Sequence, residues 1–296
     1  NMNCMFYKCE LLEEIDLSNF NNTKNVTDIS SMFAGCKNLK NIKISNYNTE
    51  KLTDMNSIFC DCTSINNIDI SNFTTEKVEN MKKILKGCEN LEKIDLTNFR
   101  TQNVSDMNGM FEGCKKLTKI TLSENFNTKR VNDMNNMFLN CELLSDIDIS
   151  KFDTQNVTDM SCMFKGCKKL QNIDLSNFNT EKVTNMNSMF YECESLNDIN
   201  LSNFDTKEVL DMNFMFYGCH NLETINLSNF NVEKVIIMDQ MFEDCSSLKF
   251  INLSNFKTKN SLNIKTMFKG CTALLKKGIL TKDKKLLGIF KKDKSQ

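Results

Sequence analysis

The 296-residue sequence contains no proline and no tryptophan, one histidine and only nine glycines. The first two absences, beside abundant Asn and Lys, suggest the coding bias of an AT-rich genome and bear on source more than on fold. No run of about 18 apolar residues occurs, which excludes a membrane-spanning helix. The scarcity of histidine weighs against acid–base catalysis: His220 follows Cys219, where most comparable positions carry Lys or Glu, and reads as a solvent residue. Neither a G-x-S-x-G stretch nor a Gly-rich phosphate loop is present, so no enzymatic activity is expected. Net charge is −1, which gives no global field for nucleic acid or an anionic membrane.

What the chain has instead is a repeat. Cysteine recurs at 9, 36, 62, 88, 114, 141, 167, 193, 219, 245 and 271, with eight steps of 26 residues and two of 27. A strict period of this size signals a solenoid. The expected fold is an α/β solenoid of about ten 26-residue units, each with one short helix and one short parallel strand. Residues 1–274 form the repeat array, and 275–296 form a basic C-terminal cap or tail. The tail carries eight Lys and two Asp, which leaves residues 1–274 at −7. The chain starts at Asn1, already inside a repeat and without an initiator Met or signal peptide, so a fragment or processed chain is expected.

Within a unit the apolar spacing changes period. Val104, Met107, Met110, Phe111, Cys114 and Leu117 fall at helical intervals. Ser105 suits an N-cap, and Gly113 suits a left-handed C-terminal position. Asp61, Asn140 and Asp244 stand where other units have that glycine, and both residue types tolerate positive φ. The following segment alternates: Ile173 and Leu175 face inward, Asn172 and Asp174 outward, as in a half-buried strand. Strands of successive units are expected to pair in parallel about 4.8 Å apart. Two aromatic ladders follow from the period. One runs through Phe152, Phe178 and Phe204, with Tyr47 replacing one ring. The other runs through Phe138, Phe164 and Phe190, and is interrupted at Ile84-Leu85.

The pattern Leu-x-x-Ile-x-Leu-x-Asn-Phe is close to a leucine-rich repeat. The unit resembles BspA-like leucine-rich-repeat surface proteins, of the repeat type numerous in mycoplasmas and other host-associated bacteria. The matching residues are Met163-Phe164, Gly166-Cys167, Leu170, Ile173 through Phe178, Thr180, Val183-Thr184 and Met186. The resemblance covers roughly residues 2–274. It implies a surface-displayed solenoid used in adhesion or host contact, with an anchor or signal elsewhere in the full-length chain.

The fourteen cysteines lack C-x2-C pairs, and the ladder cysteines occupy core positions. They read as buried free thiols; Cys4, Cys60 and Cys162 lie off the ladder. The Met stripe, such as Met107 and Met110, reads as core. No metal and no cofactor are expected. Sequons such as Asn25-Val-Thr, Asn103-Val-Ser, Asn156-Val-Thr, Asn200-Leu-Ser, Asn226-Leu-Ser and Asn252-Leu-Ser matter only in a eukaryotic secretory route.

The outward strand positions are the candidate binding face. Asp146, Asp148, Asn172, Asp174, Asp198 and Asn200 form its most acidic part, and Phe250 is a single exposed aromatic. A protein or glycan ligand is expected, with no nucleic-acid partner, no direct membrane span and a monomeric state. The resemblance places the protein at the cell surface or in secreted form. The free thiols leave a cytoplasmic interaction scaffold as the alternative. In the tail, Leu275, Ile279, Leu280, Leu286, Leu287, Ile289 and Phe290 alternate with Lys clusters, which suits a cover for the end of a solenoid.

Overall fold

A computed structural model describes residues 1–20, 22–44 and 47–289. One apolar core runs the length of the stack, from Leu17 to Leu286. Val104, Met107, Met110, Phe111, Cys114 and Leu117 are all fully buried, as their spacing requires. Of the residues in the tail's apolar set, Phe290 lies outside the described residues.

The helix expected in each unit is absent. Among the described residues the only α-helix is α1, Lys284–Ile289, and the only 3-10 turn is Lys276–Gly278. The segment from Met107 to Leu117 is instead a series of tight turns. Met110, Glu112, Cys114 and Leu117 each donate N–H to the carbonyl three residues back. Alternate residues send their N–H to the next rung: Gly109 to Asn135 at 2.9 Å, Phe111 to Met137 at 2.9 Å, Gly113 to Leu139 at 2.7 Å. A helix needs every N–H to bond within its own segment, and two left-handed residues per unit prevent that. One is the expected position, Gly113 (φ +73°) or Asn140 (φ +57°). The other lies four residues earlier, at Gly109, Asn136, Cys162, Ser188 and Phe214. For a residue with a side chain this conformation costs about 1–2 kcal/mol, which the inter-rung bonds and the core offset.

The strands are short and parallel. β1 (Glu14–Asp16) pairs with β2 (Asn41–Lys43), and β3 (Lys93–Leu96) with β4 (Lys119–Leu122). β5 (Thr224–Asn226), β6 (Phe250–Asn252) and β7 (Ile279–Leu280) form a third sheet. The strand ladder is therefore not continuous, contrary to the simple expectation from the period. A second series of parallel bridges, one per rung from Asp28 to Ile237, crosses the intervening joints.

Side chains complete the stack. The inner aromatic ladder has centroid spacings of 5.4–5.6 Å between Phe111, Phe138, Phe164, Phe190 and Phe216, and it is broken where Leu85 stands. The outer ladder is looser, with Phe178, Phe204 and Phe230 spaced at 6.5 Å. A buried threonine ladder, unforeseen from sequence, satisfies one peptide unit per rung. Thr180 Oγ1 accepts from the N–H of Asp205 and donates to its carbonyl, both at 2.8 Å. Asn177 and Asn203 each donate to three carbonyls of the previous rung, and Asn229 to two.

At the C-terminal end Asp283 takes the place of a further rung. Its carboxylate accepts from both N–H and Oγ1 of Thr258, at 2.6 and 2.8 Å. Lys285 Nζ donates to the carbonyls of Lys259 and Asn260 at 2.9 Å, and Leu286 is fully buried.

Candidate functional site

The six outward residues singled out on the strand face come together in three successive rungs. Asp146, Asp148, Asn172, Asp174, Asp198 and Asn200 are all exposed and line one open depression of about 510 Å³. Its floor is Ile147, Ile149, Ile173 and Ile199. In these rungs the strand ladder is open: no backbone hydrogen bond joins 146–149, 172–175 and 198–201 to one another. Asp148 and Asp174 lie one period apart and both carboxyls are lowered from their ordinary value. The Ser150 and Ser176 hydroxyls cause most of that lowering, followed by the N–H groups of the same residues.

The six residues divide into two columns with different work. Asp148, Asp174 and Asn200 each accept the N–H two residues ahead, at 3.0, 2.9 and 3.0 Å, closing an Asx turn. Asp16, Asp69, Asp95, Asn226 and Asn252 do the same in other rungs, so this column belongs to the frame. The other column is Asp146, Asn172 and Asp198. Asp198 bonds only the N–H of its neighbour Ile199, at 2.9 Å. Asp146 and Asn172 have no hydrogen-bond partner among the described residues. Along the array this second column reads Glu14, Asn41, Asn67, Lys93, Lys119, Asp146, Asn172, Asp198, Thr224 and Phe250. It varies in charge and size, whereas the frame column is Asp or Asn in every rung but those of Lys43 and Thr121. Phe250 stays 42% exposed on β6, opposite Thr224.

Among the described residues no group of three or more His, Cys, Asp or Glu is placed to hold a metal ion. His220 is exposed, with Nδ1 2.9 Å from the Asp244 carbonyl. No helix among the described residues is long and apolar enough to cross a membrane.

Sequence reasoning passed over two surface features. One is a half-exposed aromatic group, Tyr191, Phe214 and Tyr217. The other is the exposed set Leu210, Ile236 and Ile237. The signal is clearest at Phe214, whose column is otherwise Cys4, Ser31, Ser57, Lys83, Gly109, Asn136, Cys162, Ser188, Gln240 and Thr266.

The family model described as "Mycoplasma protein of unknown function, DUF285" matches residues 1–123, 118–199 and 195–285. No curated protein matches the chain by sequence. Among solved structures, the chain is similar to a leucine-rich cell surface protein from Faecalibacterium prausnitzii. Identity is 18%, coverage is 94% of this chain and 85% of that one, and the TM-score is 0.41. It is also similar to leucine-rich repeat proteins from Bacteroides ovatus and Eubacterium ventriosum. For the first, identity is 17%, coverage 92% and 79%, and the TM-score 0.35; for the second, the values are 14%, 88% and 83%, and 0.37. No site residue is carried over from any of them.

Proposed function

This chain belongs to the DUF285 family of Mycoplasma proteins, a BspA-like leucine-rich-repeat type, and we propose that it is a non-enzymatic binding module displayed on a cell surface. It recognises a host or matrix macromolecule, protein or glycan, through the strand face, and works as a monomer. Residues 1–274 are the binding array, and 275–296 close its end. The observation that carries the reading is the free column of Asp146, Asn172 and Asp198 above an unpaired stretch of backbone. Side chains and peptide groups that the fold leaves unused are available to a partner at little cost in stability. The neighbouring Lys93 and Lys119 make the same column basic on one side and acidic on the other, which suits a partner of opposed charge pattern.

The test is a pull-down from matrix extract and a glycan array, using the wild type and the Asp146→Lys/Asp198→Lys double variant. The wild type is expected to retain a ligand that the folded variant releases. Equal retention by both, or none by either, sinks the strand-face reading. A second reading, an intracellular interaction scaffold, is favoured by the buried unpaired thiols. The N-terminus of the full-length gene product separates the two: a signal or lipoprotein segment supports display, and a bare initiator Met supports the scaffold.

A further inference from the structure

We infer that the turn segments carry a second docking surface, in which Tyr191, Phe214 and Tyr217 receive an arginine- or lysine-bearing peptide segment of a protein partner. The patch lies on the turns, not on the strand face, and so goes beyond the function proposed above. Tyr191 and Tyr217 stack at 4.7 Å and 7°, and Phe214 sets its edge against both, at 6.0 and 5.8 Å. All three rings are half-buried at the surface. The repeat does not require them. One rung earlier and one rung later, Phe214 is replaced by Ser188 and Gln240, and the tyrosines give way to Lys165 and Glu243.

Phe214 is the telling residue. It sits at a left-handed position, φ +57°, which a bulky side chain rarely occupies. Gly109 and Asn136 fill the same place elsewhere and suit it better. A ring kept in a conformation unfavourable to the fold, at the surface and beside two tyrosines, points to a role outside the fold. Tyrosine and phenylalanine in such a cluster are the usual anchors of protein interfaces.

Charge fixes the class of partner. The Glu192 and Asp244 carboxylates lie close enough to Tyr191 and Tyr217 to raise both phenols, after burial, and Glu243 beside them is paired with Lys269. The Lys165 ammonium already lies 4.2 Å from the Tyr191 centroid, an internal example of a cation on these rings. A partner's guanidinium combines both interactions, stacking on a ring and reaching a carboxylate.

The test uses the full chain and three labelled peptides: (Gly-Arg)3, the same peptide with citrulline for arginine, and (Gly-Glu)3. The wild type is expected to bind the arginine peptide at least about tenfold tighter than the citrulline peptide, the loss of one charge-assisted contact. Binding is expected to quench tyrosine emission, which is readable because the chain has no tryptophan. Phe214→Asn is expected to melt higher than wild type and to bind the arginine peptide at least about fivefold more weakly. Tyr217→Leu weakens binding similarly, whereas Asp146→Lys/Asp198→Lys leaves it unchanged. Equal affinity for arginine and citrulline, no binding of any peptide, or a Phe214→Asn variant that melts lower and binds equally overturns the proposal. Loss of peptide binding on reversing the strand-face charges also overturns it, by moving the site there.

Discussion

The thiol of Cys167 donates a hydrogen bond to the main-chain carbonyl of Phe138, in the preceding rung, at 3.2 Å. Cys62 does the same to Phe33 at 3.1 Å, and Cys114 to Leu85 at 3.1 Å. A thiol engaged in this way is protonated and faces a peptide group, not a second sulfur. Burial pushes Cys167 up to about 12 and Cys36 up to about 11. The nucleophilic thiolate is therefore scarce at neutral pH.

Alkylation of the native protein at pH 8 should separate the cysteines by position. Cys4 and Cys9 are exposed and should be labelled first, with half-buried Cys60 and Cys162 following slowly. Burial, then the Asp61 carboxylate, pushes Cys60 up to about 12. The remaining ten should stay unlabelled until denaturation, when unreduced protein should give a mass shift for all fourteen. Ladder cysteines missing from that total would be disulfide-bonded, and the hydrogen-bonded ladder would be wrong for them.

Asp133→Asn should stabilise the protein at pH 7. Burial raises the Asp133 carboxyl, opposed by the Asn135 N–H and reinforced by Asp106 and Asp159 one rung to either side. A raised carboxyl favours the protonated native state, so its contribution to stability is present at low pH and is lost as pH rises through its folded value. Asparagine already serves this column at Asn80 and Asn185, accepting the same turn N–H. The melting temperature should rise at pH 7, and the gain should shrink as pH falls through the carboxylate range. A gain independent of pH would assign the effect to something other than charge.

Thr180→Val should destabilise the stack by about 1–3 kcal/mol, the cost of leaving a buried polar group without a partner. The N–H and carbonyl of Asp205 both rely on that hydroxyl. Thr180→Ser keeps the hydroxyl and should recover most of the loss in a denaturant melt. Val232 occupies the equivalent place nearer the C-terminal end, where the ladder stops.

Asp283→Ala should loosen the last rung without unfolding the rest. Burial tends to raise this carboxyl, but the Thr258 N–H and hydroxyl, together with the N–H groups of Leu286 and Lys285, outweigh it and hold it below its ordinary value. A depressed carboxyl contributes stability that is present at neutral pH and is lost as pH falls through the folded value. Hydrogen exchange should accelerate at residues 253–274 in the variant, and in the wild type under acid, while the central rungs keep their protection. Uniform acceleration along the chain would mean that the end does not open independently.

The inward set was legible because it obeys burial alone: Val104 through Leu117 are where their spacing puts them. The helix was misread because consecutive tight turns give almost the same spacing. What separates turns from helix is the second left-handed residue. That place is filled by Gly109, Asn136, Cys162 and Phe214, a set with no shared composition to read. The Asp146–Asn200 group was legible from the period, but its division into a frame column and a free column was not. That division depends on which carboxylates close turns, and both columns carry the same residue types. The aromatic patch is visible in sequence only as a departure from the repeat, because Tyr191 lies one rung from Phe214 and Tyr217 and meets them only through the stacking of the turns.

In sequence, both 27-residue steps carry their extra residue between the strand-face pair and the following ladder threonine, at positions 21–22 and 123–125, while the core positions keep register. The core positions of each rung therefore meet those of the next in one register. At the level of the gene, duplication or loss of a whole unit returns the reading to register and leaves a foldable chain. The length of the array and the order of its variant faces can thus change by recombination in a single event, carrying a complete binding patch in or out, where point mutation would have to pass through destabilised intermediates.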